Sequence, residues 1–263
     1  MDTQIKKLQD AINYSKKKLS EIGDNFEIIK SNFKNIKEEL NKRGIYKVDG
    51  ILFDLGVSSP QLDNTDRGFS YHNDARLDMR MDRSQYLTAY VVVNTYSLEE
   101  LTRIFRDYGD ERFAYQIAKS IVKARETKPV ETTFELVDLI KKSKPMKELA
   151  KQGHPAKQAF QALRIAVNDE INVLEKALVK ALKALKPHGG RLAVITFHSL
   201  EDRIIKQTFA ELVKGCTCPP QLPVCVCGKK PQLKKAGNIT PSKQEVEENP
   251  RSRSARLRFA IKR

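Results

Sequence analysis

Two short apolar runs, Val48 to Asp54 and Arg191 to Phe197, most constrain what this chain can fold into. Each is almost wholly apolar, which is typical of strands buried on both faces of a parallel sheet. Between them, helical hydrophobic periodicity recurs over about 84–95, 97–107, 110–126, 132–142 and 155–185. Parallel strands need long crossover connections, so the sequence predicts an α/β domain interrupted by a helical insertion.

Weaker patterns flank these two runs. They predict a helix from Asp2 to about Ile22, a strand from Phe26 to Ile29, a helix from Ser31 to Lys42, a helix from Leu200 to about Val213, and an edge strand from Ala255 to Ile261. Residues 55–83 form a long polar stretch, and a loop of that length inside a domain is usually functional or disordered. We expect it to be functional.

The chain is strongly basic, with a formal net charge of +15. The segment from Lys229 to Arg263 holds eleven basic and three acidic residues, a net charge of +8. Such a charge favours a polyanionic partner, above all nucleic acid, although a merely solubilising surface would give the same composition. No apolar run approaches the roughly 20 residues of a membrane helix, and the start lacks a signal-peptide core, so we expect a cytoplasmic protein.

All four cysteines lie in one short segment, CTCPPQLPVCVCG. Cys216, Cys218, Cys225 and Cys227 could together bind a structural Zn²⁺ ion, because thiolates are preferred zinc ligands. The Cys-x-Cys gaps are tighter than the usual two to four residues, so free thiols remain an equal alternative.

Two polar residues follow the predicted strands at their carboxyl ends, where open α/β sheets bind their ligands. Asp54 ends the first strand, and either ligand contact or capping of the next turn would suit it. His198 follows the second strand in TFHSLEDR and could move a proton near neutral pH. The SLED pattern also favours a helix start capped by Ser199, and the two roles can coexist.

Six motifs carry a resemblance to a known family. They are GILFDLGVSSPQLDNTDRGFSY, LDMRMD, YGDERFAYQIAKSIV, HPAKQAFQALRIAVNDE, GGRLAVITFHSLEDRIIK and ENPRSRSARLR. Together they closely resemble the RsmH (MraW) family of methyltransferases. The resemblance implies use of S-adenosyl-L-methionine, methylation of N4 of a cytidine in the decoding centre of 16S ribosomal RNA within the small subunit, and a Rossmann-like class I sheet. It also implies a discontinuous methyltransferase domain over 1–95 and 160–263, with a helical insertion over 96–159 that helps hold RNA.

The resemblance assigns candidate residues to the site. Asp2, Phe33, Asp54 and Gln61 match cofactor-contacting positions, with Asp2 on the ribose hydroxyls and Phe33 beside the adenine. Asp54 and His198 are the candidate catalytic residues, although Asp54 could serve the cofactor alone and the proton acceptor stays unassigned. The candidate RNA contacts are Phe69, Tyr71, Arg80, Arg164, Asn168, Arg203, Arg251 and Arg253, with Arg256 and Arg258 as further phosphate contacts. For Arg164 and Asn168, the alternative is an internal network with Asp169 or Glu170.

The sequence departs from the family pattern at its start. The family begins with a strand and a glycine-rich loop ending in Gly-Gly-His, which hold the methionine end of the cofactor, and neither occurs here. Because those strands lie between the third and fourth in the family's sheet, we expect a gap in the sheet, poor folding and weak cofactor binding. The alternative function is therefore a catalytically silent, truncated RNA-binding remnant.

Overall fold

The computed structural model describes residues 12–216, 218–219, 221–224 and 226–263. Within them, the strands are β1 (Gly50–Asp54), β2 (Arg191–Thr196), β3 (Leu233–Ile239) and β4 (Arg256–Lys262). They form one sheet in the order β1-β2-β4-β3. β1 runs parallel to β2, and β4 runs antiparallel to both of its neighbours. This confirms the α/β class and the two strands on which that prediction rested.

The edge of the sheet differs from the prediction in two places. The predicted edge strand β4 is an interior strand, because β3, a polar segment that the sequence did not mark, pairs along its other side. Residues 26–29, predicted as a strand, have no regular structure. The four described strands pair contiguously, and β1 and β3 are the two outer strands.

The helices surround this sheet and fill the long connection between β1 and β2. They are α1 (12–20), α2 (Ile36–Asn41), α3 (Ser59–Asp63), α4 (Ala89–Thr95), α5 (Leu98–Gly109), α6 (Ala114–Arg125), α7 (Thr133–Lys142), α8 (Met146–Leu149), α9 (Lys157–Asn168), α10 (Glu170–Ala184), α11 (Ser199–Lys214) and α12 (Lys243–Glu248). Short 3-10 turns occur at Phe33–Asn35, Thr65–Arg67 and Pro250–Ser254. No helix in the described residues is long and apolar enough to cross a bilayer.

The single helix predicted over 155–185 is broken in two. Asp169 adopts a left-handed conformation, with φ at 52°, between α9 and α10. Aspartate is one of the few non-glycine residues that tolerate this conformation. The periodicity of the apolar residues continues across the break, which is why the sequence pattern hides it.

The buried apolar side chains form two separate cores. One core joins the sheet to α10 and α11, through residues such as Phe53, Leu178 and Val194. The other contains no residue of the described strands and is built mainly from α4 to α7 and α9, together with loop residues such as Phe69, Leu77 and Met79. It also includes residues from 69–93 and 160–167, so the helical core extends on both sides of the segment 96–159.

Candidate active site

The carboxyl ends of β1 and β2 meet at one edge of the sheet. Asp54, the last residue of β1, lies opposite Ile195 of β2, and its side chain is exposed. His198 lies two residues after the end of β2 and caps the start of α11. The structure thus brings the two candidate catalytic residues to the same edge, where α/β sheets bind their ligands.

The candidate cofactor residues in the described chain lie around β1. The ring of Phe33 lies 5.5 Å from the ring of Phe53 in β1, and Phe33 keeps 38% of its surface exposed. Gln61 closes the turn after β1, because its Oε1 accepts hydrogen bonds from the backbone N–H and the hydroxyl of Ser58 at 2.9 and 3.2 Å. A partly exposed aromatic ring suits contact with an adenine, and an exposed carboxylate suits hydrogen bonding to hydroxyl groups. Asp2 lies outside the described residues.

His198 is held as a helix cap. Its Nδ1 accepts a hydrogen bond from the backbone N–H of Glu201 at 3.4 Å, so the cap predicted at Ser199 lies one residue earlier. The Nε2 atom lies 3.1 Å from Glu201 Oε1, but outside hydrogen-bonding geometry, and the imidazole is 7% exposed. Because Nδ1 acts as an acceptor, the neutral ring carries its proton on Nε2.

A buried charged cluster surrounds His198. Arg164 donates two hydrogen bonds to Glu170, at 2.8 and 2.9 Å, and a carboxylate oxygen of Glu170 comes within 4.8 Å of ligand atoms of both His198 and Glu201. Burial raises the pKa of Glu170, while Arg164 opposes the shift. Burial would also raise the pKa of Glu201, but the nearby His198 and the N–H of Phe197 hold it below its usual value. Arg164 therefore pairs with Glu170, one of the two internal partners that the sequence left open.

Asn168 and Arg80 organise the polar loop after β1. The amide of Asn168 accepts from the Met81 N–H at 2.7 Å and donates to the Met79 carbonyl at 2.8 Å. Arg80 binds Asp78 through two hydrogen bonds, at 2.7 and 3.0 Å. Burial would raise the pKa of Asp78, but Arg80 outweighs that effect and the pKa is lowered. Both side chains therefore hold the loop in place.

The two aromatic candidates have different surroundings. Phe69 is buried in the helical core at 7% exposure. Tyr71 is half-buried and stacks on His154, with ring centroids 4.3 Å apart and planes 12° from parallel, while His72 lies 4.6 Å from Tyr71. Burial lowers the pKa of His154, helped by His72 and Lys141, so this stack favours the neutral imidazole. Sequence reasoning missed both histidines, because nothing in the spacing joins positions 71 and 154.

The candidate arginines fall into two groups. Arg258 is buried against Asp202, with hydrogen bonds of 2.6 and 2.9 Å, whereas Arg253 is exposed. The remaining three are exposed and lie near single carboxylates: Arg203 near Asp110, Arg251 near Asp63, and Arg256 near Asp202. Asp110, which sequence reasoning missed, also accepts a hydrogen bond from Ser199 at 3.2 Å and so links the helical unit to the start of α11.

The described cysteines lie together beyond the far end of α11. The Sγ atoms of Cys216, Cys218 and Cys227 all lie within 4.8 Å of one another. Cys225 lies outside the described residues. The three sulfurs are close enough to ligate a single metal ion.

Fold and site together define an α/β enzyme with its ligand edge at the carboxyl ends of β1 and β2. The model of the MraW methylase family matches residues 3–263, so the chain belongs to this family, which confirms the resemblance seen in the motifs.

Curated relatives agree with this assignment. The "Ribosomal RNA small subunit methyltransferase H" of Symbiobacterium thermophilum is 52% identical over 256 residues, covering 97% of this chain and 80% of that protein. The proteins of the same name from Finegoldia magna and Clostridioides difficile are each 53% identical, covering 97% of this chain and 82% of theirs.

Proposed function

We propose that this chain methylates small-subunit ribosomal RNA, and that its target is the N4 amine of a cytidine in the decoding centre of 16S RNA. The observation that carries the proposal is the 52% identity, over 97% of the chain, to a protein named as a ribosomal RNA small subunit methyltransferase. The net charge of +15 supports an RNA partner. The proposed place of action is the cytoplasm, where small subunits are found.

The proposed cofactor is S-adenosyl-L-methionine, which supplies an electrophilic methyl group on a sulfonium. The half-exposed ring of Phe33 suits contact with the adenine, and the exposed carboxylate of Asp54 suits hydrogen bonding to the cofactor or the target amine. Gln61 fixes the turn that follows Asp54, at residues 58–61, through its amide oxygen. Asp2 is proposed for the ribose hydroxyls on the family resemblance alone.

The amine must lose a proton when it gains a methyl group, and Asp54 is our candidate acceptor. Its carboxylate is exposed at the ligand edge, whereas the acceptor nitrogen of His198 already caps α11. Asp54→Asn should lower kcat by about 10²–10⁴-fold if it is the general base. Cofactor titration of the same variant separates this role from binding, because a purely cofactor-contacting Asp54 would weaken affinity instead.

Arg251 and Arg253 are the proposed phosphate contacts in the basic C-terminal segment, since both are exposed. Replacing both by alanine should weaken RNA binding and reduce the slope of log K against log salt by about 1.4–1.8. Lys186→Ala is the matched control, because Lys186 is an exposed cation that pairs with exposed Asp49. An unchanged slope in the double variant would remove these arginines from the interface.

The direct test is methyl transfer to small subunits isolated from cells that lack this modification. Incubation with S-adenosyl-L-methionine carrying a tritiated methyl group, followed by nucleoside mass spectrometry, should yield N4-methylcytidine at one position. A different methylated nucleoside would refute the target. RNA binding without any methyl transfer would instead favour the alternative, a catalytically silent RNA-binding protein of this family.

A further inference from the structure

The spacing of the sulfurs of Cys216 and Cys227 matches that of two ligands on one metal ion. The Sγ atoms of Cys216 and Cys227 are 3.8 Å apart, far longer than the roughly 2.05 Å of a disulfide bond. Two thiolates that bind one tetrahedral zinc at about 2.3 Å each lie about 3.8 Å apart. The backbone N–H of Cys218 also donates to Cys216 Sγ at 3.4 Å, the kind of hydrogen bond that orients thiolate ligands around a metal.

The segment 216–231, which we call the cysteine loop, is anchored at both ends. Gly215 ends α11 with φ at 68°, and a Cβ at this position would lie 2.5 Å from the backbone nitrogen of Pro231. Gln232 then donates to the carbonyl of Leu212 in α11 at 2.9 Å. The two ends of the loop therefore meet at the end of α11.

The described residues of the cysteine loop do not form a hydrophobic core. Its larger apolar side chains, Leu222, Val224 and Val226, are 44%, 69% and 78% exposed. A short segment without a hydrophobic core usually depends on a metal or on disulfides for its structure. The cysteines are the groups that can supply that support here.

We propose that Cys216, Cys218 and Cys227 bind one Zn²⁺ ion, which holds the cysteine loop closed on the end of α11. Each thiol gives its proton to solvent as its Zn–S bond forms. Cys225 is the remaining cysteine of the sequence and lies outside the described residues, so experiment decides whether it is the fourth ligand. Lys214, Lys229 and Lys230 lie in or beside this segment of the sequence and give it positive charge.

This zinc is structural rather than catalytic. α11 begins beside the ligand edge at Ser199, ends at Lys214 and is 16 residues long. At 1.5 Å per residue, the helix separates the cysteine loop from that edge by about 24 Å. The ion is therefore too far away to contact a methyl group or its acceptor.

The test begins with the metal content of the full chain, purified under reducing conditions without added zinc or a chelating tag. We expect about one zinc per chain. Substitution by Co²⁺ should give the intense visible absorption of a tetrahedral thiolate site. The intensity of the thiolate-to-cobalt charge-transfer band shows whether three or four sulfurs bind the ion, and either number agrees with the proposal. A chain that binds neither added Zn²⁺ nor Co²⁺ would overturn it without any variant.

Variants then locate the site. Cys216→Ser and Cys227→Ser should each weaken zinc affinity by at least about 100-fold, and limited proteolysis should cut the cysteine loop faster. Val226→Ala is the matched control, because this exposed residue lies next to Cys227 and provides no ligand. Cys225→Ser shows whether the fourth sulfur comes from this position. Full zinc retention by both Cys216→Ser and Cys227→Ser would assign the metal to another site and refute the proposal.

Discussion

Asn168→Ala should destabilise the protein through the loop it holds. The substitution leaves the Met81 N–H and the Met79 carbonyl without their side-chain partners. A buried unsatisfied backbone group costs about 1–3 kcal/mol, so two such groups, partly reached by water, should cost about 2–4 kcal/mol. Met79 itself is fully buried with φ at 58°, so this turn has little freedom to find other partners.

Urea unfolding at pH 7 measures this loss, followed by both absorbance and circular dichroism. Asn168→Asp keeps the acceptor for Met81 but turns a carboxylate oxygen towards the Met79 carbonyl, so it should destabilise the protein as well. Asn172→Ala, which removes only an exposed side-chain contact, should stay within about 0.5 kcal/mol. An Asn168→Ala protein with unchanged unfolding and weakened RNA binding would refute this reasoning and restore Asn168 as an RNA contact.

Two further predictions concern acid stability and backbone strain. Hydrogen bonds from Arg258 lower the pKa of Asp202 below its usual 3.8, so the pair stabilises the fold above that pH, and this contribution is lost as the pH falls through the folded-state pKa. In Asp202→Asn, the free energy of unfolding should therefore fall less steeply as the pH is lowered. An equally steep fall in the two proteins would contradict this. Gly68→Ala should cost about 2 kcal/mol or more, against about 1 kcal/mol for Gly44→Ala, because a Cβ at Gly68 meets the Arg76 carbonyl whereas Gly44, with φ at 70° against 65° for Gly68, faces open space. Thermal melts compare the two glycine variants, and equal losses would show that backbone conformation alone matters.

Local patterns in the sequence predicted much of the fold. The apolar runs at β1 and β2 and the helices α4 to α7 were located to within a few residues, because burial imposes a period on the side chains of each element. β3 escaped detection, since its pairing with β4 stabilises a polar segment that has no strand pattern of its own. The break at Asp169 was also hidden from the sequence. A single residue in a left-handed conformation can end one helix and precede the next while the apolar periodicity continues across it.

The candidate site divides in the same way. The sequence by itself determined the family, the position of Asp54 and His198 at the ends of strands, and the overall positive charge. Only the tertiary structure decided which arginines are engaged: Arg80 with Asp78 nearby, but Arg164 with Glu170 across a helix break and Arg258 with Asp202 from another element. An ion pair depends on distances between side chains in space, and those distances are set by how helices and strands pack together rather than by spacing along the chain.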